Sequence, residues 1–358
     1  MTYVLHVSPA MFGAGGYWGG GERYPLELAR AQAHFVPTRL VSFGDRSRRY
    51  RLESLEIHVL PLRTRFKGSR LNPLSELLAL EVADTQVIHM HQVSTALTDV
   101  MTMLGTGMGK RLFVTDHGGS APTFRRILDT RRFMSGHLAV SRFAASMNPE
   151  FAGRTHVIYG GADVGRFKPG LEPRRKTIVY VGRVMPHKGI HDLIDAIEPD
   201  MPLEIYGRTY DEPYRQALDE RAAGKSVRFF GSASDEDVVR ALQTAWVAVL
   251  PSVHQSEFGG PYPKPELLGL TLIEAMACAT PVVASSVTSL PEVVADGSTG
   301  FIFEAGDSMA LRDRLRRLWN DDALWERMSA AALARAHGLF TWEQTALRAL
   351  EAYVEARR

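Results

Sequence analysis

Cysteine is nearly missing from this chain. Cys278 is the one thiol in 358 residues, so neither an internal disulfide nor a cysteine-built zinc site can form, and a reducing cytoplasm is the expected compartment. Long apolar runs are missing too. No stretch approaches the ~18 uninterrupted apolar residues of a membrane-spanning helix. The opening Met1-Thr2-Tyr3-Val4-Leu5-His6-Val7 has no basic segment, so no cleaved signal peptide is expected. Nor is there an excess of one charge: 42 Lys/Arg stand against 40 Asp/Glu, which argues against a whole-protein nucleic-acid footprint. Repeats and low-complexity tracts are absent. What is present is 45% hydrophobic and 23% charged residues, the composition of an ordinary globular protein, at a length that suits about two domains.

Short apolar strands alternate with amphipathic helices. In the first half, strands are expected near 2–8, 37–43, 55–60, 86–91, 111–115, 136–140 and 155–159, with helices near 22–34, 73–84, 93–105, 123–133 and 142–148. Such alternation predicts a parallel sheet covered by helices. The Gly- and Pro-rich segment 160–170 interrupts the rhythm and reads as a linker. Beyond it, strands are expected near 176–182, 202–207, 226–231, 246–250 and 281–284. Helices are expected near 188–197, 211–223, 234–244, 266–278 and 307–319. The division is thus 1–164, 165–340 and a tail helix over 341–358 that returns to the first domain. Leu347, Leu350 and Val354 are taken as the tail's apolar face. Ligands of such sheets lie at the carboxyl ends of the strands.

Three segments carry chemistry. A glycine-dense loop, Gly13 to Gly21, joins the first strand to the first helix, where backbone amides attract anions. It fits neither the dinucleotide fingerprint nor a Walker loop. Second, Gly182-Arg183-Val184-Met185-Pro186-His187-Lys188-Gly189 sets two cations five residues apart at a strand end, suited to clamping a diphosphate. Third, in Glu266-Leu267-Leu268-Gly269-Leu270-Thr271-Leu272-Ile273-Glu274, the second carboxylate lies in an apolar helix. It is costly there unless it meets a polar partner such as ribose hydroxyls.

Together these segments resemble the family 4 retaining nucleotide-sugar glycosyltransferases (glycosyl transferases group 1), which have the GT-B fold. The matches are Glu266 with Glu274, Gly182-Arg183 with Lys188-Gly189, and Gly19-Gly20 with Glu22-Arg23. Leu290-Pro291-Glu292, Asp296-Gly297 and Thr299-Gly300-Phe301 add to them. The resemblance is strong over 177–307 and diffuse before it. It implies an α/β architecture of two Rossmann-like domains facing across a cleft. It implies transfer of a hexosyl unit from a UDP-hexose or GDP-mannose to a hydroxyl acceptor, with retention and without metal or other cofactor. The acceptor would be a sugar, a lipid-linked glycan or a small molecule. By the same resemblance, Arg183 and Lys188 bind the diphosphate, Glu274 holds the ribose and Glu266 faces the transferred sugar. Gly269, Leu270 and Thr271 approach phosphate, and His117 lies near the donor sugar. Gly19, Gly20, Gly21 and Gly182 complete the donor loops, and Gly207, Arg208, Phe230 and Gly231 surround the base. An epimerase of the same fold and a non-catalytic nucleotide-sugar-binding subunit are the alternatives.

Other features take plainer readings. Glu257-Phe258-Gly259 imitates the family's helix-start motif, but only Glu266 has the right spacing to Glu274. Asp235-Glu236-Asp237 has the form of a metal-binding DxD, yet after Ser234 it reads as a capped helix start. His89-Met90-His91 is taken as strand-end packing, with the two imidazoles on opposite faces and His91 towards the acceptor side. Nine Lys/Arg lie between Arg39 and Arg70, a tract that could dock peripherally on an anionic membrane face. Cys278 reads as a buried structural thiol.

Overall fold

The computed structural model describes residues 2–11, 20–125 and 127–356. The chain divides into two compact units. The first is 1–160 together with 342–358, and the second is 161–341.

The first unit opens with β1 (Thr2–Met11) and α1 (Gly20–Gln32). It continues through β2 (Thr38–Gly44), β3 (Arg48–Leu52), β4 (Leu55–Pro61), β5 (Thr64–Arg65) and β6 (Pro73–Leu74). Then come α2 (Leu78–Ala83), β7 (Thr85–His91), α3 (Ala96–Gly107) and β8 (Arg111–Thr115). β9 (Gly136–Ala139), α4 (Arg142–Ser146) and β10 (Thr155–Val157) finish its N-terminal part. The main sheet runs β10-β9-β8-β7-β1-β2-β4-β3. It is parallel except for β3, which pairs antiparallel with β4. Strands buried on both faces, such as Val4-Leu5 and Val87-Ile88, read as apolar runs because helices cover the sheet.

The second unit contains β11 (Ile178–Val181), α5 (Ile190–Ala196), β12 (Leu203–Tyr206), α6 (Glu212–Ala222), β13 (Val227–Gly231) and α7 (Asp235–Thr244). β14 (Val247–Leu250), α8 (Leu270–Ala277), β15 (Val282–Ser285), α9 (Leu290–Val293) and β16 (Gly300–Phe303) follow. α10 (Ser308–Asn320) and α11 (Asp322–Leu339) close it. Its sheet, β13-β12-β11-β14-β15-β16, is wholly parallel. The strand order reverses between β11 and β14, which puts the ends of those two strands at the switch point where such sheets bind ligands. The tail helix α12 (Trp342–Glu355) belongs to the first unit and packs on α1.

Two expectations are corrected, and one strand is added. Among the described residues of 123–133 there is no α-helix; they give turns and a short 3₁₀ turn, Thr130–Phe133. The Asp99 carboxylate of α3 captures the segment instead, accepting from the Phe124 amide at 2.8 Å and the Thr130 hydroxyl at 2.5 Å. The tail helix buries Trp342, Ala346, Ala349, Ala352 and Tyr353 and leaves Leu347 and Val354 exposed. The buried face combines three alanines with the aromatic rings of Trp342 and Tyr353, which meet Tyr24 and Gln32 of α1, so the stripe of Leu347 and Val354 is not the packed one. β3 escapes the hydrophobic pattern because all five of its residues are exposed, as suits a charged edge strand.

Candidate functional site

In the second unit several of the candidate side chains are brought together by loops at strand ends. The turn after β11 begins at Gly182, whose amide donates to the Tyr206 carbonyl at 2.9 Å. A Cβ on Gly207 would stand 1.7 Å from the Gly182 carbonyl oxygen, so only glycine lets the ends of β11 and β12 approach this closely. Arg183 is exposed, while its carbonyl accepts from the Tyr180 hydroxyl at 2.9 Å. The turn then tightens to Gly189, left-handed at φ 64°. A Cβ there would lie 1.9 Å from the Pro251 carbonyl oxygen. The His187 carbonyl also accepts from the Val253 amide at 2.9 Å. The Lys188 loop is therefore pinned to the segment following β14.

That pinning lets two groups 78 residues apart meet: the Lys188 ammonium donates to Oε1 of Glu266. The same oxygen accepts from the Ser252 hydroxyl at 2.7 Å, and the Ser252 carbonyl is held by the Ser285 hydroxyl at 2.6 Å. The Glu266 backbone carbonyl accepts from Thr288 at 2.5 Å. Lys188 and Glu266 are only 12% and 10% exposed at their side chains, so the pair is largely desolvated and geometrically constrained. Glu257, the sequence imitation, is exposed and bound to Arg221.

α8 starts four residues after Glu266 rather than at it, because Gly269 takes φ 86° and acts as N-cap. No side chain caps this end among the described residues. The amides of Leu270 and Thr271 thus open a helix whose positive end attracts an anion. The Thr271 hydroxyl donates to the Val181 carbonyl at 3.3 Å, which ties the helix start to the end of β11. Glu274 is partly exposed, between buried Ile273 and Ala275.

The expected base-binding residues lie at neighbouring strand ends. Arg208 donates to the Ser232 hydroxyl at 2.8 Å. Phe230 stacks on Tyr206 with ring centres 4.4 Å apart and planes within 2°, and Gly231 takes φ 57°. The Phe230 ring borders a cavity of about 340 Å³ whose lining includes Arg175, Glu204, Arg228 and Asp237. Glu204 is buried and joined to Arg175 at 2.9 Å and Arg228 at 3.1 Å. Sequence reasoning missed this group; charged residues inside an otherwise apolar strand pattern were its only signal.

In the first unit, Gly13 to Gly19 lie outside the described residues, whereas Gly20 and Gly21 open α1. A Cβ on Gly21 would lie 3.3 Å from the His117 Cβ, so His117 sits beside the helix start. His117 is the outer member of a stack of imidazoles that sequence reasoning misread. Residues two apart on a strand share a face, so His89 and His91 are neighbours, with centroids 4.5 Å apart. His6 from β1 completes the group, 4.9 Å from His89 and 5.3 Å from His91. Burial pushes His6 down to about 4 and His117 to about 3, and holds His89 and His91 well below the usual imidazole value. One nitrogen each of His6, His89 and His91 fall within 4.8 Å of one another. Each of these rings, however, already has hydrogen-bond partners at both nitrogens, and a cation would have to displace them.

The remaining features resolve simply. Ser234 and Asp237 form a reciprocal capping box, so the DxD sequence is a helix start. Cys278 is buried, and burial raises its thiol to about 12. In the basic tract, Arg39 bonds Glu56, Glu81 and Asp84, and Arg63 bonds Glu76. Among the described residues, no helix is long and apolar enough to cross a membrane.

Residues 163–335 match the family described as Glycosyl transferases group 1. A D-inositol 3-phosphate glycosyltransferase of Corynebacterium urealyticum is 32% identical over 228 residues, covering 56% of this chain and 51% of that protein. A phosphatidyl-myo-inositol mannosyltransferase of Mycobacterium leprae is 34% identical over 233 residues, covering 61% and 58%. The chain thus spans about half the length of the curated relatives it matches. Anabaena HepE, crystallised with UDP and glucose, superposes with a TM-score of 0.76 over 99% of this chain and all of its own, at 18% identity. The fold is that of the GT-B glycosyltransferases.

Proposed function

Since residues 163–335 belong to the glycosyl transferases group 1 family, we propose that this protein transfers a hexosyl unit from a nucleotide-diphosphate sugar to a hydroxyl acceptor. The observation that carries this reading is the junction of Lys188 with Glu266 beside the start of α8. A cation, a carboxylate and the first amides of a helix meet at the switch point of a parallel sheet, where a diphosphate needs positive partners and a sugar needs an acceptor for its hydroxyls.

In this reading Arg183, Lys188 and the amides of Leu270 and Thr271 hold the diphosphate, and Glu274 accepts from the ribose hydroxyls. Glu266 orients Lys188 before binding and faces the transferred sugar afterwards. Gly20, Gly21 and His117 are the first unit's candidate ligand-binding residues, and the rest of its surface selects the acceptor. The bond from the anomeric carbon to the diphosphate oxygen breaks as the acceptor oxygen bonds to that carbon. The acceptor's proton passes to the departing diphosphate on the same face, so configuration is retained. Arg183 and Lys188 offset the charge that develops on the leaving group. The donor is a UDP-hexose or GDP-mannose; the names of the relatives and the ligands of HepE support this class.

The test is incubation with each nucleotide sugar across a panel of hydroxyl acceptors, with the product read by anomeric NMR coupling. Retention of the donor's configuration, at a rate unaffected by EDTA, is the expected result. An inverted product, or a rate abolished by EDTA, contradicts the mechanism.

A further inference from the structure

The connection from Leu250, at the end of β14, to Leu270, at the start of α8, is far longer than the ~2–6 residues usual between a strand and a helix. It is nevertheless tied together. The Ser256 and Gly259 backbones exchange amide-to-carbonyl bonds at 3.1 Å each, and the Phe258 amide donates to the Ser256 hydroxyl at 3.1 Å. The neck is closed as well. The Tyr262 amide donates to the His254 carbonyl at 2.6 Å, and His254 Nδ1 donates to the Tyr262 carbonyl at 3.2 Å. Residues 254–262 thus form a lobe that carries two rings. Phe258 makes T-shaped contacts with His191 of α5 at 5.2 Å and Tyr214 of α6 at 5.1 Å. Both partners are buried and joined to each other at 2.9 Å, so the seat is preformed. Arg221 of α6 lies 5.6 Å from the Phe258 ring centre and bonds both Glu257 and Asp195. Tyr262 packs over the lobe's own glycines, where a Cβ on Gly259 would lie 2.6 Å from its hydroxyl oxygen. Its ring centre is 5.3 Å from that of His187.

We propose that this lobe is a brace for Lys188, in which Phe258 and Tyr262 are positioning residues that hold the turn carrying the ammonium against Glu266. This rests on the role given to Lys188 above. The lobe touches the segment on both sides of that residue: Tyr262 meets His187 just before it, and Phe258 meets His191 just after it. It also leads directly into Glu266 through Pro263 and Pro265, whose rings fix their own φ angles. One element therefore governs the place of both partners of the ion pair. A lysine needs such help, because its ammonium is a point charge on a flexible stem, and a preorganised charge acts on a leaving group only where its position is set in advance. The lobe's cover is felt at His187. Burial, with Lys188 and Arg183 nearby, pushes that imidazole down to about 4 against the opposing charge of Glu266.

NMR of histidine-labelled protein gives a readout that needs no turnover, with the His187 signals assigned by their loss in His187→Gln. In the wild type His187 is expected to stay neutral between pH 7.5 and 6.0. In Phe258→Ala the lobe comes away, and His187 titrates toward the ordinary imidazole value of about 6.5. Phe258→Leu refills the seat with an apolar side chain and keeps His187 neutral. The second readout is a double-variant cycle on sugar transfer. Phe258→Ala lowers kcat by about tenfold, within the range of coupling between residues that act through one contact. In a Lys188→Ala background the same change has no further effect, because the group it positions is gone. A merely structural loop would lower transfer alike in both backgrounds. A His187 that stays neutral in Phe258→Ala, or an undiminished loss in the Lys188→Ala background, overturns the brace. A wild type that transfers no sugar contradicts the proposed function instead, and the His187 titration then decides the brace by itself.

Discussion

Lys188→Ala is expected to lower sugar transfer by about a hundredfold or more, the cost of removing one preorganised charge partner of a leaving group. It should also lower the melting temperature. Lys188 is the cation on a largely buried Glu266, and stranding such a carboxylate costs about 3–5 kcal/mol. For a unit of this size that is about 6–20 °C. The Ser252 hydroxyl remains on the same oxygen, which places the loss toward the lower end. The two effects separate in the double variant. Lys188→Ala with Glu266→Gln removes the uncompensated charge, so the melting temperature recovers most of its loss while transfer stays low. Normal turnover in the single variant would refute the assignment. Failure of the double variant to regain stability would show that the pair does not carry the energy assigned to it.

Acidification is expected to unfold the first unit well before the carboxylates of a typical domain are protonated. His6, His89 and His91 are held below the ordinary imidazole value by burial. The groups facing them are Gln32, Thr115, Tyr353 and His117, none of them anionic. As pH falls below about 6.5 the unfolded chain takes up protons that the folded chain refuses. The stability contributed by these groups is therefore complete above pH 6.5 and is lost on acidification. Each contributes a slope of about 1.4 kcal/mol per pH unit once its unfolded form is charged, or about 4 kcal/mol for the three. Against a total of about 5–15 kcal/mol, a drop from pH 6.5 to 5 is decisive. Thermal melts at pH 7.5, 6.0 and 5.0 should show a steep fall of the first-unit transition. A flat profile would mean that the imidazoles are charged or solvated in the folded protein.

Much of the architecture is legible in the sequence, because strand–helix alternation and a Gly-rich break survive without tertiary information. The second unit's candidate residues are legible for a narrower reason: Glu266 and Glu274 lie eight residues apart in one segment, and Gly182 to Lys188 form another. Their junction is not legible, because it depends on Gly189 and Pro251 meeting across two loops. The histidine stack eludes a linear reading differently. His6 lies far from His91 along the chain, and the period of a strand had to be applied to see that His89 and His91 share a face. The absent helix at 123–133 has a similar cause: a single buried carboxylate, Asp99, outweighs local propensity. The tail helix shows that aliphatic residues at helical spacing do not always mark the buried face, since Trp342 and Tyr353 are buried and Leu347 and Val354 are not.

The measurement that tests the central claim most directly is thermal shift of the wild type and Glu274→Ala with UDP, GDP, ADP, dTDP and their common sugars. A nucleotide present at 100 times its dissociation constant adds ~2.7 kcal/mol. The account predicts that one nucleotide and its sugar stabilise the wild type and that Glu274→Ala loses most of that shift while remaining folded. No stabilisation by any of them, or an equal shift in the variant, would contradict a nucleotide-sugar site at the start of α8.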